Sequence, residues 1–538
     1  MQVEKIKPNK KLNSGSLIAV IGAGAMGAGI AQVAAQAGHK VFLYDQDERT
    51  IFKAKEAISL QLNKRVIKGK MSQVDYDACL ENIIPAYRLE ELAEVDLVIE
   101  AIVEHLELKQ TLFIQLEAIC SKQCIFTSNT SSISITAIAS KLEYPQRFLG
   151  LHFFNPAPVM PLVEIISGLA SDLNLAKSLY QTCLRWGKKP VYAKSTPGFI
   201  VNRVARPFYA EALRVYEEQG TSIEQLDLLI RESGQFRMGP FELMDLIGHD
   251  VNYAVTQSVF SAYYQDSRFK PSQAQKALVD AGFLGRKTRR GFYQYDNAGI
   301  KLPCSLLSNL QKAISQKGQD NALKQLRVIK ASPLIEGQTN PTNKLFERFL
   351  GANFFIDSDF TINPDQLVIE SFQFAETHFA LTDGKSATER SVTDELNNLI
   401  LFDLAFDYDK VKVLGFSVAD NCSEAAIQDA IHLFNLIGIQ LIQLDDVAGL
   451  VLMRTLAMLT NEAADTCLQG VATAEDIDLA MCAGVNYPEG PLSWGERVGV
   501  RYIHNVLINL QHHYGEERYR PSSLLRRLSF ANKGFFKR

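Results

Sequence analysis

The sequence is short of several features that would direct its reading elsewhere. Its eight cysteines include no Cys-x-x-Cys pair and no metal-ligand spacing, so neither a disulfide framework nor a metal module is indicated. Scattered thiols of this kind point to a reducing, cytoplasmic setting. Neither sign of charge dominates. The 56 Lys and Arg against 60 Asp and Glu leave a net charge of −4, which excludes the basic footprint of a nucleic-acid binder. No low-complexity segment occurs, and the first thirteen residues read as a short polar extension. Between Lys11 and Lys40 there is no Asp, Glu, Lys or Arg at all. After the Lys-rich opening, such a run invites two readings, a secretory signal or a membrane span. Its composition argues against both. Gly22, Gly24, Gly27 and Gly29, with Gln32 and Gln36, are poorly suited to an apolar helical core.

The run is better explained as a strand, "LIAVIG", followed directly by a helix, "MGAGIAQVAAQAG". "GAGAMG" then fits G-x-G-x-x-G at the strand-to-helix turn. Gly22 makes the turn, Gly24 lets the backbone approach a pyrophosphate, and Gly27 lets helix and strand pack closely. The free N–H groups of the helix start receive the anion. The next strand, "KVFLYD", ends at Asp45. A carboxylate there accepts hydrogen bonds from an adenosine ribose and repels a 2′-phosphate, which favours NAD over NADP.

A chain of 538 residues exceeds one ordinary core, so two to four domains are expected. Strands and helices alternate through the first 195 residues, which predicts a doubly wound, mainly parallel sheet of Rossmann type over 1–195. Helical patterns follow over 196–296. Pro303, Pro333 and Pro341 punctuate a patternless 297–365, read as a linker. Strand signals return over 366–446, and a second helical region fills 447–538. The halves repeat: "PGFIVNR" lines up with "AGLVLMR", "GPFELMDLIG" with "GPLSWGERVG", and "SRFKPS" with "ERYRPS". The second half is a worn copy of the first. It lacks a glycine loop, and Asn202 corresponds to Met453. "FLGLH" lines up loosely with "VLGFS", which would put Ser417 at the position of His152. Apolar helical faces survive in the copy and must be buried. An intrachain pseudo-dimer of the two helical regions is expected.

Removing hydride from an alcohol carbon requires a base for the hydroxyl proton, and His serves near neutral pH. Only His39, His105 and His152 precede the helical region. His39 falls in a turn and His105 at a helix start. His152 ends the strand "FLGLH", on the side where open α/β sheets bind ligands. Glu164 in "PLVEII" is an acid on a predicted buried strand and needs a partner. A His152–Glu164 pair would orient the ring and stabilise its charged form.

Taken with "SNTSS", "GLHFFNPAPVM", "LVEII" and "TPGFIVNR", these stretches resemble the L-3-hydroxyacyl-CoA dehydrogenase family through about residue 295. The whole chain resembles its long bacterial form, which includes members acting in phenylacetate breakdown. The resemblance implies that His152 is the catalytic base and Glu164 its partner. It implies that Ser131 bonds the substrate oxygen and Asn202 helps hold the reacting oxygen. Asn129 and Asn155 fall near the cofactor, Glu104 and Lys109 line the nicotinamide side, and Lys287 reaches the same cleft. Without the resemblance, Glu104 and Lys109 would be a solvated helix face. Lys64 and Lys68 share a helix face in "NKRVIKGK". The resemblance places Lys68 against coenzyme A, whose phosphates would suit both lysines.

The function expected is NAD-dependent oxidation of an (S)-3-hydroxyacyl-CoA of 3-hydroxyadipyl or 3-hydroxybutyryl type. The chain would have an acyl-CoA partner, no nucleic-acid or membrane partner, no metal and a further homo-oligomeric assembly. The rivals are a gulonate-type hydroxyacid dehydrogenase and a non-catalytic dinucleotide-binding protein.

Overall fold

The computed structural model describes residues 12–303, 325–333, 342–358 and 367–536. Most of the expected polar extension and much of the expected linker lie outside these residues. The chain divides into two compact units, Met1–Arg203 with Gln469–Val485, and Val204–Leu468 with Asn486–Arg538. Gln469–Val485 belongs to the first unit although its sequence is part of the second helical region.

The first unit is built on an eight-stranded sheet of β1 (Ile18–Ile21), β2 (Val41–Tyr44), β3 (Ile83–Ala86), β4 (Leu97–Glu100), β5 (Ile125–Ser128), β6 (Phe148–Phe153), β7 (Leu162–Ser167) and β8 (Lys189–Lys194). The order is β3-β2-β1-β4-β5-β6-β7-β8. Every pairing is parallel except β6 with β7. The central strands are buried along their length, which explains why they read as apolar runs rather than as alternation. The helix Ala25–Gln36 contributes Ile30, Ala31 and Ala34 to the core beneath the first strands. The helix Ala474–Val485 packs on β7 and β8.

The second unit contains the helices from Arg206 to Asp280 and a seven-stranded sheet. That sheet comprises β9 (Gln325–Pro333), β10 (Phe355–Ser358), β11 (Leu367–Phe374), β12 (Thr377–Leu381), β13 (Leu399–Phe402), β14 (Val413–Val418) and β15 (Gln440–Gln443), in the order β10-β9-β11-β12-β13-β14-β15. The linker expectation is corrected here. β9, the helix Asn343–Gly351 and β10 all fall within 297–365 and belong to folded structure. Pro333 stands at the end of β9, where a strand tolerates it.

The repeat is visible element by element. Helices begin at Ile223, Pro240 and His249 in one copy, and at Ala474, Pro491 and Val500 in the other, the same step each time. The turns before them match as well: Gly198 and Phe199 have φ of 74° and 45°, Gly449 and Leu450 of 74° and 52°. In the second unit, Arg206–Glu217 packs along Leu452–Leu468, and Ile223–Glu232 packs on β14. Among the described residues, no helix is long and apolar enough to cross a membrane.

The alignment of "VLGFS" with "FLGLH" is overturned. β14 runs antiparallel to β13 and parallel to β15, as β7 does to β6 and β8. β14 is therefore the counterpart of β7, and Ser417 matches Ile166. The position of His152 falls instead just past β13, at Asp403.

Candidate active site

The glycine loop lies between β1 and the helix Ala25–Gln36. Gly22 has φ of 99°, and a methyl group there would come within 2.6 Å of the Ala101 carbonyl oxygen. A side chain at Gly27 would collide with the Gly22 carbonyl oxygen, so helix and turn approach as closely as glycine allows. At Gly24 the same construction meets open space. A cavity of about 470 Å³ adjoins the loop, lined by Gly22, Gly24, Asp45, Gln46, Ile102 and Leu108 among others. Asp45 is already oriented: one oxygen accepts from the Ala23 N–H at 2.7 Å, the other from the Asp47 N–H at 3.1 Å. Open backbone at Gly24, an uncapped helix start and a fixed carboxylate at the strand end suit a dinucleotide.

The antiparallel turn from β6 to β7 pairs His152 directly with Glu164. The His152 Nδ1 lies 2.7 Å from a Glu164 oxygen, and both side chains are buried. The other Glu164 oxygen accepts from the Ile200 and Val201 N–H groups at 3.1 and 3.0 Å. The "TPGF" turn delivers those donors, and Asn202 follows them half-buried in the short helix Val201–Val204. The rings of Phe154 and Phe199 stand 4.6 and 5.9 Å from the imidazole. With Nδ1 on the carboxylate, Nε2 is left to exchange a proton.

A second polar cluster forms past β4 and β5. Glu100 ends β4, fully buried. It accepts from Ser128 Oγ at 2.6 Å, Lys109 Nζ at 2.6 Å and the Ile102 N–H at 2.7 Å. Lys109 is 1% exposed, so the solvated-face reading fails for it. Its ammonium also reaches Glu104 at 3.3 Å. Glu104 gathers the "SNTSS" loop, accepting from Thr130 Oγ1 at 2.6 Å, the Ser131 N–H at 3.0 Å and Ser132 Oγ at 2.9 Å. Burial alone would raise the Glu104 carboxyl. Those donors and the Lys109 charge outweigh it and hold the carboxyl below its ordinary value. Asn129 joins this loop to the histidine strand, its Oδ1 accepting from the Phe153 N–H at 2.8 Å.

Glu100, Ser128 and Thr130 escaped the sequence reading. Glu100 carried the signal that marked Glu164, an acid ending an apolar strand, in "VDLVIEAI". The structure brings Ser131, Glu104 and Lys109 together, and His152, Glu164 and Asn202 together. Asn155 is exposed on the loop after β6. Lys64 and Lys68 are exposed at the end of the helix Glu48–Ile67. Lys287 lies in the second unit, within 2.6 Å of both Asp250 oxygens.

Residues 17–196 match the NAD binding domain of 3-hydroxyacyl-CoA dehydrogenase, and residues 198–295 and 449–534 match its C-terminal domain. The chain belongs to the 3-hydroxyacyl-CoA dehydrogenase family. These are NAD-dependent oxidoreductases, and the sequence resemblance is confirmed. Residues 379–447 match the reduced Rossmann-fold domain of 3-hydroxybutyryl-CoA dehydrogenase. The chain is 42% identical over 518 residues to the 3-hydroxyadipyl-CoA dehydrogenase of Escherichia coli (strain K12), covering 96% of this chain and 98% of that protein. It is similar to the crystal structure of 3-hydroxybutyryl-CoA dehydrogenase from Escherichia coli K12, with a TM-score of 0.82 and 40% identity over 97% of this chain and 99% of that one. The mitochondrial hydroxyacyl-coenzyme A dehydrogenase of Mus musculus is 42% identical over 287 residues, 52% of this chain and 90% of that protein.

Proposed function

We propose that this chain oxidises an (S)-3-hydroxyacyl-CoA to the 3-oxoacyl-CoA with His152 as the base. The observation that carries the reading is the buried His152–Glu164 pair at 2.7 Å, whose carboxylate is fixed by two backbone N–H groups. The imidazole Nε2 takes the C3 hydroxyl proton. Glu164 holds the ring in the tautomer that leaves Nε2 free, and stabilises the imidazolium once the proton arrives. Ser131 and Asn202 hold the reacting oxygen. Gly22, Gly24, Gly27 and Asp45 would hold NAD, with Glu104, Lys109, Asn129 and Asn155 toward its nicotinamide end. When bound, that cofactor accepts the hydride from C3. The exposed Lys68, and Lys64 beside it, suit the phosphates of coenzyme A.

The near-complete overlap with a relative named for 3-hydroxyadipyl-CoA supports an acyl chain ending in a second carboxylate. Turnover of 3-hydroxyadipyl-CoA, 3-hydroxybutyryl-CoA and gulonate, compared side by side, tests this. A higher kcat/KM for 3-hydroxybutyryl-CoA removes the terminal-carboxylate assignment, and turnover of gulonate alone removes the acyl-CoA reading.

The copied helices act as the second half of a pseudo-dimer. Within the second unit, Arg454 bonds Glu211 at 2.8 Å and the Tyr519 hydroxyl at 2.8 Å, joining the two copies through buried polar groups. A chain ended near residue 300 should lose this partner and form dimers or aggregates, seen by light scattering. A well-behaved monomer would overturn the pseudo-dimer. The buried Cys79, Cys120, Cys124 and Cys183 stand outside any disulfide, in keeping with a cytoplasmic setting.

A further inference from the structure

The second unit holds a cavity of about 430 Å³, within the size range of small-molecule sites. Its floor carries Arg206, which is 6% exposed. The Arg206 Nη1 donates to Thr256 Oγ1 at 3.1 Å, and its guanidinium lies 5.1 Å from the Tyr209 ring centre. Its Nε is buried with no hydrogen-bond partner. Among the described residues, no carboxylate lies within ion-pair distance of it. A buried charge without a counter-charge is costly, and proteins keep one where something pairs with it.

The other charges around the cavity, Lys270 apart, are spoken for. Arg214 bonds Glu218 at 2.9 Å and Glu516 at 2.7 Å. Arg268 pairs with Asp465 and Glu462, and Arg518 lies 3.8 Å from Glu211. Glu217 accepts from Ser272 Oγ at 2.6 Å and the Ala274 N–H at 3.2 Å, so the helix start at the cavity wall is already capped. Lys270 is exposed at the rim and has no carboxylate within ion-pair distance among the described residues. Two cations are left over, one at the floor and one at the rim, with Tyr209, Leu213 and Phe269 between them on the wall.

The copy shows that the fold itself does not require this arrangement. The residues matching Arg206 and Thr256 are Ala457 and Leu507, both fully buried. Tyr209 corresponds to Thr460. A helical domain of this design packs with an apolar pair where the first copy keeps an uncompensated cation. Burial holds the Arg206 guanidinium below its ordinary value, as expected of a cation with no counter-ion.

We propose that this cavity is a binding site for a small organic carboxylate, whose charged end meets Arg206 and whose apolar stem lies along Tyr209, Leu213 and Phe269. The planar fork of Arg206 matches a carboxylate, and the apolar wall favours a stem over a bare anion. Lys270 draws the ligand in from the rim.

Isothermal titration of the full chain with sodium hexanoate, sodium adipate and sodium phosphate at constant ionic strength tests this. One equivalent of hexanoate or adipate should bind saturably, and phosphate should not. Arg206→Gln should weaken binding by about 30-fold or more, and Lys270→Glu by roughly 3- to 10-fold. Lys270→Glu is a surface change, so it keeps the test decisive if Arg206→Gln fails to fold. Hydride transfer without added carboxylate should be unchanged in Lys270→Glu. Three results would overturn the proposal. They are no saturation by either carboxylate in the tens of millimolar, affinity unmoved by Lys270→Glu, and displacement of hexanoate by saturating acetoacetyl-CoA. Binding of phosphate alone would overturn the choice of a carboxylate.

Discussion

In the first sheet a histidine on β6 faces a carboxylate on β7; in the second sheet the carboxylate has changed strands and the histidine is gone. Glu164 accepts the N–H groups of Ile200 and Val201. The equivalent donors in the copy, Val451 and Leu452, give their N–H groups to one Asp403 oxygen at 3.0 and 2.7 Å, while Met453 and Leu404 give theirs to the other. Asp403 follows β13 and its N–H bonds the Gly415 carbonyl at 2.9 Å; Gly415 is the residue in step with Glu164. Both copies must satisfy buried N–H groups at the start of a helix, and both use an acid to do so. Only the first copy also sets that acid against an imidazole. The structural task of the carboxylate and its chemical task are therefore separable, and the copy has kept the first alone.

That comparison can be broken in four places. The largest effect is expected from His152→Ala, which should lower turnover by roughly two to four orders of magnitude with NAD affinity nearly intact. Near wild-type turnover would remove the distinction between the copies. Glu164→Gln keeps an oxygen for the Ile200 and Val201 N–H groups but loses the charge. Turnover should fall on the order of 10²-fold while the unfolding midpoint moves little. A large loss of stability with turnover retained would make Glu164 structural, like Asp403. Asp45→Ala should shift the ratio of NAD to NADP affinity by about tenfold toward NADP, measured by cofactor titration. An unmoved ratio would take Asp45 away from the ribose.

The smallest effect on turnover is expected from Asp403→Asn, which should leave it within about twofold while changing stability against pH. Burial pushes the Asp403 carboxyl up to about 6, against the pull of its four N–H donors. The folded chain thus holds a proton that the unfolded chain releases at lower pH. This group contributes stability below the ordinary carboxylate value of 3.8, and that contribution is lost as pH rises through 6. The loss is on the order of 3 kcal/mol, and Asp403→Asn should flatten it in denaturant titrations between pH 4 and 7. An unchanged slope would mean that Asp403 does not hold that proton.

Much of the catalytic unit was legible because its signals are local. Four glycines at a strand end, an acid closing the next strand and an acid inside "PLVEII" each break a pattern set by their immediate neighbours. Glu100 broke the same pattern and was overlooked. Assigning Ser417 to the base position failed for a physical reason. "FLGLH" and "VLGFS" are alike as short apolar strands, and nothing within five residues says whether a strand runs with or against its neighbour. Only the pairings of β13, β14 and β15 show it. β9 was missed because the alternation in "QLRVIKAS" breaks at Val328–Ile329 and the segment stands between prolines that read as loop. Partners distant in sequence, such as Arg454 and Glu211, leave no local trace.

The helix Ala474–Val485 that covers β7 and β8 has a consequence for how the chain is made. During synthesis, the glycine loop, the histidine and its acid all emerge long before the layer that covers their sheet's far edge. A ribosome that has reached Lys194 has delivered every strand of that sheet but none of this helix. The apolar face awaiting it stays wet, or in the care of a chaperone, until Ala474 and the residues after it appear. Closing a contact over so long a span is slow and carries a loop-entropy cost. The last step in completing the sheet that carries His152 and Glu164 is thus set by a helix from the second copy.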